Sequence, residues 1–295
     1  MNRPSQDDAL RRAADRLARR RDAPAASDGT RPAWDARFFG LDGVPRYRDA
    51  SDAARAEVLA LCGHGLLAEA LHIERSGIDY CARMTLAAES DDERRLFALI
   101  GADESQHAGW LADALPGDPP VDAFNRFIAG IAAAGAPQPL AYLLQVVLEG
   151  FGIAHYDGLA AGCRDAGLTA TFRRLARDEA LHHAGGLATF RAERLTEADR
   201  RFLGEATYAF LQMIRCGPQA VVAALERTVG IGDAVDAARV FADLDSEAGS
   251  AAKLARLREL IAQPGMDWLV DAMDAGGAFT PCSAAECAQV YASMR

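Results

Sequence analysis

The chain has a single lysine, Lys253, and arginine does the work of positive charge everywhere else, a bias that reads as coding preference rather than function. Even so the cations are outnumbered: 32 Lys and Arg stand against 42 Asp and Glu, for a formal net charge of −10. A nucleic-acid partner would require a basic face, so this balance argues against one. Runs of Val, Ile and Thr in period two, bounded by turn residues, are missing, and with them the signature of a sheet. The six cysteines, Cys62, Cys81, Cys163, Cys216, Cys282 and Cys287, contain no Cys-x-x-Cys pair. That excludes a zinc ribbon, a rubredoxin-type iron site and a thioredoxin motif. Cys282 and Cys287 are near enough in sequence for a disulfide, but free thiols in a reducing cytosol are the expectation. No run of eighteen apolar residues exists and the N-terminus has no signal-type apolar segment, so a soluble, cytoplasmic protein with no membrane partner is expected. Arg11 to Arg21 form a basic amphipathic stretch, but Asp7, Asp8, Asp15 and Asp22 make it a poor transit peptide and a better peripheral helix.

What the chain does have is helix-forming composition and a repeat. Half of its 295 residues are hydrophobic and only 7% are aromatic, which leaves an Ala- and Leu-rich sequence that favours helix. Glu74 is followed thirty residues later by Glu104, within Asp103-Glu104-Ser105-Gln106-His107. Glu149 is followed thirty residues later by Glu179, within Asp178-Glu179-Ala180-Leu181-His182. At 3.6 residues per turn, Glu104 and His107 share a helix face, as do Glu179 and His182. The match extends outward: Leu71 aligns with Val146, Gly77 with Gly152, Ile78 with Ile153, Phe97 with Phe172, and Ile100 with Leu175. One Glu-x-x-His is weak evidence in an acidic helical protein. Two copies, each preceded by Asp and each with a Glu at the same distance upstream, give the inward-facing ligand set of a two-metal four-helix bundle.

The spacing of breaks predicts how these helices connect. Residues 1–50 read as a polar, Pro-rich extension in which Trp34, Phe38, Phe39 and Tyr47 are available for anchoring. Residues 51–195 form the metal-binding bundle. A first helix runs from Asp52 to about Ala88. A second opens at a Ser90/Glu93 capping box and ends before Pro116. A short apolar helix, Phe124 to Ala134, occupies the long link that follows. A third helix covers Leu140 to Arg164 and a fourth Thr169 to Leu195. Residues 196–295 are accessory helices, starting at the cap Thr196-Glu197-Ala198-Asp199 and broken at Gly217-Pro218, Gly230-Ile231-Gly232, Pro264-Gly265 and Gly276-Gly277. They are expected to pack on the bundle and to line a substrate cavity or a homodimer surface. Two short-looped hairpins joined by one long crossover define an all-α, ferritin-like four-helix bundle with additional C-terminal helices.

On this repeat and connectivity the chain resembles the ferritin-like di-iron carboxylate superfamily over about residues 55–195. The twin pattern of Glu, twenty-eight residues, then Asp-Glu-x-x-His resembles the arylamine N-oxygenases among non-haem di-iron oxygenases. That subfamily has a further His one turn before the second-repeat Glu, where this chain has Leu175. The resemblance implies two Fe ions, or a Mn/Fe pair, with Glu104 and Glu179 bridging, Glu74 and Glu149 terminal, and His107 and His182 completing the ligand set. Mixed carboxylate and imidazole donors suit those metals. Asp103 and Asp178 suit hydrogen bonds to the ligand imidazoles of the opposite repeat, Asp103 to His182 and Asp178 to His107, with a solvent-facing role as the alternative.

Other residues are placed by the helical wheel. Glu69-Ala70-Leu71-His72 is a third Glu-x-x-His without a counterpart, and Glu69 and His72 are expected at the surface. His183 is a possible extra ligand or pocket residue, while His155 falls off the ligand face and His64 is unremarkable. Gly77, Ile78, Gln145, Gly152 and Ile153, with Tyr142 and Tyr156 two turns away, are candidates for a small apolar substrate pocket; close helix packing also explains the glycines. The implied activity is O2-dependent oxidation of a small organic substrate, by N-oxygenation or hydroxylation in specialised metabolism, with O2 as co-substrate and an external electron donor. The alternative is ferritin- or rubrerythrin-like iron oxidation or peroxide reduction, against which stand the chain length and the missing Cys pairs. A radical-generating reductase subunit needs a buried Tyr near the metals, and Tyr80 does not share the Glu74 face.

Overall fold

The computed structural model describes residues 32–294. The basic stretch Arg11 to Arg21 lies outside them. Every regular element among the described residues is helical and none is a strand. After a single turn at Pro45–Arg48, α1 (Asp52–Ala87) begins behind Ser51, whose side chain accepts from the Ala54 N–H. The second helix, α2 (Asp91–Asp113), begins behind Ser90, which accepts from the Glu93 N–H. The reciprocal half of the expected capping box is displaced: the Glu93 carboxylate takes the N–H of Glu89, not that of Ser90. Asp122 caps α3 (Ala123–Ala134), and Asp165 caps α6 (Ala166–Thr189) by accepting from the Leu168 N–H.

The third long helix departs most from expectation. It starts at Pro137 with α4 (Pro137–Leu140), widens into a π-helix over Ala141–Leu148, and resumes as α5 (Glu149–Gly162). The N–H of Glu149 reaches back five residues to the Leu144 carbonyl, so the first candidate ligand of the second repeat sits at the end of the widened turn. Seven consecutive residues, Ala141 to Val147, are buried, as a helical segment apolar on almost every side must be, and the burial takes Gln145 in with it. The fourth helix stops at Thr189, short of the expected Leu195, because Phe190 turns extended.

Beyond it lie α7 (Glu197–Arg215), α8 (Gln219–Val229), α9 (Ala234–Asp243), α10 (Ser246–Ile261), α11 (Asp267–Ala275) and α12 (Ala284–Ser293). Chain breaks at Gly217 and Gly230 adopt positive φ, where a side chain would be strained. The turn between α9 and α10 uses Asp245 at φ 50°, a break for which no glycine or proline gives notice.

Helix α1 packs along α2, α5 along α6, and α2 meets α6. Two apolar clusters fix their directions. One holds Leu67, Leu71, Ala108, Leu111, Tyr156, Leu159, Phe172 and Leu175. The other holds Tyr80, Cys81, Met84, Phe97, Ile100, Val146 and Val147 together with residues of α7, α10 and α11. Reading along the chain, α1 and α6 run from the first cluster toward the second, whereas α2 and α5 run the other way. The order is therefore up, down, down, up, and the long link between Asp113 and Pro137 carries the chain back so that α2 and α5 run parallel. Helix α1 also contains an 18-residue window of mean hydropathy 1.3, a third of it buried, and by length and composition alone would pass as a membrane span. It is also the helix that carries Glu74 between the clusters.

Candidate metal centre

The polar layer between the two apolar clusters is made by the repeat. Glu74, Glu104, His107, Glu179 and His182 are buried, on α1, α2, α2, α6 and α6 respectively, and Glu149 at the start of α5 is half-buried. They form two groups whose ligand atoms lie within 4.8 Å of one another: Glu104, Glu149, Glu179 and His182 in one, Glu74, His107 and Glu179 in the other. Either group could hold a metal ion, and Glu179 belongs to both.

Both imidazoles present Nδ1 inward. His107 Nδ1 lies 3.0 Å from Glu74 Oε2, and its Nε2 lies 3.2 Å from Asp178 Oδ2. His182 Nδ1 lies 3.1 Å from Glu104 Oε1, 3.5 Å from Glu179 Oε2 and 3.8 Å from Glu149 Oε2. Its Nε2 faces Asp103 Oδ2 at 3.7 Å, an ionic contact too long for a hydrogen bond. The two aspartates thus sit against the imidazoles of the opposite repeat. Arg174, one turn before Asp178, donates from Nε to Asp178 Oδ2 at 2.7 Å and anchors it from the outside. The i,i+4 spacing of Arg174 and Asp178 was a signal in the sequence that the motif alone did not use.

Several ligand atoms have nothing to bond. Glu104 Oε1, Glu179 Oε2 and both ring nitrogens of His182 are buried without a hydrogen-bond partner. His182 Nδ1 is close to Glu104 Oε1 but off the line a hydrogen bond needs. Unpaired buried polar groups are rare because each forfeits its hydration. Here they converge on one another, and a cation among them would satisfy several at once. The donor set and the orphaned atoms therefore fit a metal.

Proton affinities express the same crowding. Burial opposes the charge on His107, yet the Glu74 carboxylate and the Asp178 hydrogen bond outweigh it and push the imidazole up to about 10. His182 is likewise raised, burial being overcome by Asp103, Glu104 and Glu149. Burial and the neighbouring Glu74 charge hold Glu104 well above the usual carboxylate range. Glu74 goes the other way: burial would raise it, but His107 and the hydrogen bonds from its neighbours bring it down. Without metal, protons do the neutralising.

The glycines flanking the terminal glutamates have an observed use. A Cβ on Gly77 would stand 2.7 Å from Glu104 Oε2 and 2.8 Å from its Cδ, so the space Gly77 leaves is filled by the Glu104 carboxylate. A Cβ on Gly152 would meet Glu179 Cγ at 3.8 Å, an ordinary contact. Ile78 and Ile153 are half-buried beside them. Tyr156 donates its hydroxyl to Glu74 Oε1. Tyr142 points away, donating to the Ile261 carbonyl at 2.7 Å and packing on Phe190. Gln145 is buried, accepts from the Tyr80 hydroxyl at 2.8 Å and leaves its Nε2 unpaired.

Three placements differ from the wheel. Tyr80 is buried and feels the charges of Glu149, Glu104 and His182, because its long ring reaches from an off-face Cα to Gln145 on the π segment. His72, expected at the surface, is buried with Nε2 3.2 Å from the Pro119 carbonyl: the crossover link folds over that face of α1. Its neighbour Glu69 is half-buried and its carboxyl is raised by burial and by Asp122. His183 faces the backbone: its Nδ1 lies 2.9 Å from the carbonyl of Val146 in the π-helix. His155 is half-buried, and burial with Lys253 nearby pulls it down to about 4.

One of the six candidate ligands is partly accessible. The Glu149 side chain keeps 16% of its surface, against 1–4% for the other five. No family model matches the chain, and no curated protein or solved structure does either.

Two outcomes follow from this geometry. Gly77→Ala should leave the unfolding midpoint in urea nearly unchanged, because only the end of a side chain must move, but weaken Co(II) or Fe(II) binding about 10–100-fold. Gly152→Ala should bind as the wild type does; equal losses in both variants would contradict the assignment of Gly77 to the Glu104 carboxylate. The second outcome concerns pH. His107 has a folded value raised above its ordinary 6.5, so its contribution to stability is complete below 6.5 and disappears as pH climbs through about 10. The thermal midpoint of chelator-treated protein should therefore fall between pH 7 and 10, while metal-loaded protein holds its midpoint over that range. Parallel curves for the two forms would exclude protonated imidazoles in the metal-free layer.

Proposed function

We propose that the protein is a non-haem di-iron oxygenase that uses O2 to oxidise a small organic substrate, by N-oxygenation or hydroxylation. The observation that carries this reading is the sharing of Glu179 between two buried Glu/His groups, which makes a coupled pair of ions a better fit than a single one. The up-down-down-up helix order around that layer is the one the ferritin-like resemblance implies. A bound pair of ferrous ions would supply the electrons and Lewis acidity for O2 activation, and an external donor would restore them.

The residues of this chain would supply the surroundings. Glu74, Glu104, Glu149 and Glu179 would hold the ions with His107 and His182. Asp178, backed by Arg174, fixes the His107 ring so that Nδ1 stays inward. Tyr156 and His107 together pin the Glu74 carboxylate in one orientation. The apolar clusters on either side keep water out of the layer. Glu149 is the most accessible of the four carboxylates, its side chain keeping 16% of its surface, so small molecules would arrive from its side. The chain would thereby combine one open approach with a dry interior, which favours chemistry on an organic guest over storage of mineral.

The buried tyrosines favour one rival. Tyr80 and Tyr156 stand near enough to the layer for its charges to act on both hydroxyls. A radical-generating reductase subunit would use such a residue. Oxygen uptake separates the readings. Anaerobically loaded protein mixed with O2 should consume it in a burst of about one O2 per two Fe(II) and then stop until reductant is supplied. Continued oxidation of hundreds of irons per assembly would mean storage instead. A persistent tyrosyl signal by electron paramagnetic resonance, lost in Tyr80→Phe or Tyr156→Phe, would mean radical generation.

A further inference from the structure

Away from the carboxylate layer, the fold gathers three cysteines that the sequence keeps apart. Cys216 ends α7, Cys282 lies in the segment before α12, and Cys287 lies in the first turns of α12. The backbone registers the first two against each other: the Cys282 N–H donates to the Arg215 carbonyl at 3.1 Å. Arg215 reinforces the junction by donating from Nε to the Thr280 carbonyl. The Gln219 amide closes the third side, donating to the carbonyls of Cys216 at 2.6 Å and Cys287 at 3.2 Å. Cys287 Sγ stands 3.7 Å from the Cys282 carbonyl. The Cys216 thiol donates to the Gln212 carbonyl at 3.0 Å and lies close enough to Cys282 and Cys287 for both to raise its proton affinity.

We propose that Cys216 and Cys282 are a redox-modifiable pair that closes reversibly into a disulfide when the protein meets a peroxide. From standard bond lengths, the hydrogen bond between residues 215 and 282 holds the two α-carbons within about 7 Å. A disulfide spans roughly 4.4–6.8 Å between α-carbons, so this backbone spacing admits a link once the Cys216 thiol turns from the Gln212 carbonyl toward Cys282. All six cysteines are free thiols in this structure.

The chemistry balances with hydrogen peroxide as the oxidant. Cys216, a half-buried residue where Cys282 and Cys287 are buried, attacks the O–O bond through its sulfur and becomes a sulfenic acid, releasing one water. The Cys282 sulfur then displaces the hydroxyl from sulfur and a second water leaves. Two thiols and one peroxide give one disulfide and two waters. Burial and the adjacent Cys282 push the Cys216 thiol up to about 11, so little thiolate is present at neutral pH. Closure is therefore slow at pH 7 and accelerates about tenfold per pH unit toward 11. Once formed, the link ties the end of α7 to the segment before α12 and constrains the chain between them.

The test uses full-length protein treated with a chelator, so that bound metal plays no part in the oxidation. After hydrogen peroxide at pH 8.5, free thiols are alkylated and the protein is cleaved with trypsin and a Glu-specific protease, which separates Cys282 from Cys287 at Glu286. Mass spectrometry should find a Cys216–Cys282 cross-link that dithiothreitol removes. It should persist in Cys287→Ser and vanish in Cys216→Ser and Cys282→Ser, and the oxidised wild type should melt several degrees above the reduced form. A Cys282–Cys287 pair, over-oxidised Cys216 without a cross-link, or no oxidation at Cys216 would each overturn the proposal.

Discussion

Everything in the bundle is arranged around the desolvation of like charges. Four carboxylates and two imidazoles occupy one layer, and apolar clusters above and below deny that layer the water that would screen it. Burying an ion costs several kcal/mol even after relaxation, so the layer exists only because something neutralises it. In the metal-free chain that role falls to protons on His107 and His182, lifted far above their ordinary affinity by the carboxylates they face. Cations in place of those protons would satisfy the orphaned ligand atoms.

That shape has requirements beyond the ligands. Glu104 can lie in the layer only because Gly77 has no side chain to occupy the same space. Glu149 enters it from the end of a π-helix, and the wider turn needs its own support: His183 is set against the Val146 carbonyl, and Gly186 lets α6 approach Gln145. The π segment is buried on all sides and, Gln145 apart, lined by apolar residues and Tyr142, so a two-hairpin bundle alone would leave part of it wet. Residues of α7, α10 and α11 complete the cluster around it. These C-terminal helices thus have a structural reason tied to the site, through the helix that delivers Glu149.

How much of this was legible depends on whether local periodicity determined it. The six clustered residues could be named from spacing, because a helix places Glu104 over His107 and Glu179 over His182 regardless of the rest of the fold. The breaks at Gly217 and Gly230 could be named because glycine is the residue that adopts positive φ without strain. The break at Asp245 could not, since nothing in its composition distinguishes it from a helix interior. The π-helix is also silent in the sequence: the extra residue per turn is set by packing on α6 and the C-terminal helices. Contacts between helices were hidden for the same reason. A helical wheel puts Tyr80 off the ligand face and His72 at the surface, but side-chain length carries the first to Gln145 and the crossover link buries the second under Pro119.

The central claim is that the layer is one coupled site for two ions. The direct measurement is iron per chain after anaerobic Fe(II) loading and desalting, in the wild type and in Glu179→Ala, whose carboxylate belongs to both groups. The account predicts about two irons in the wild type, as its two-group ligand set implies, and loss of both together in the variant. Less than one iron in the wild type, or a variant that keeps one ion at full affinity, would contradict it.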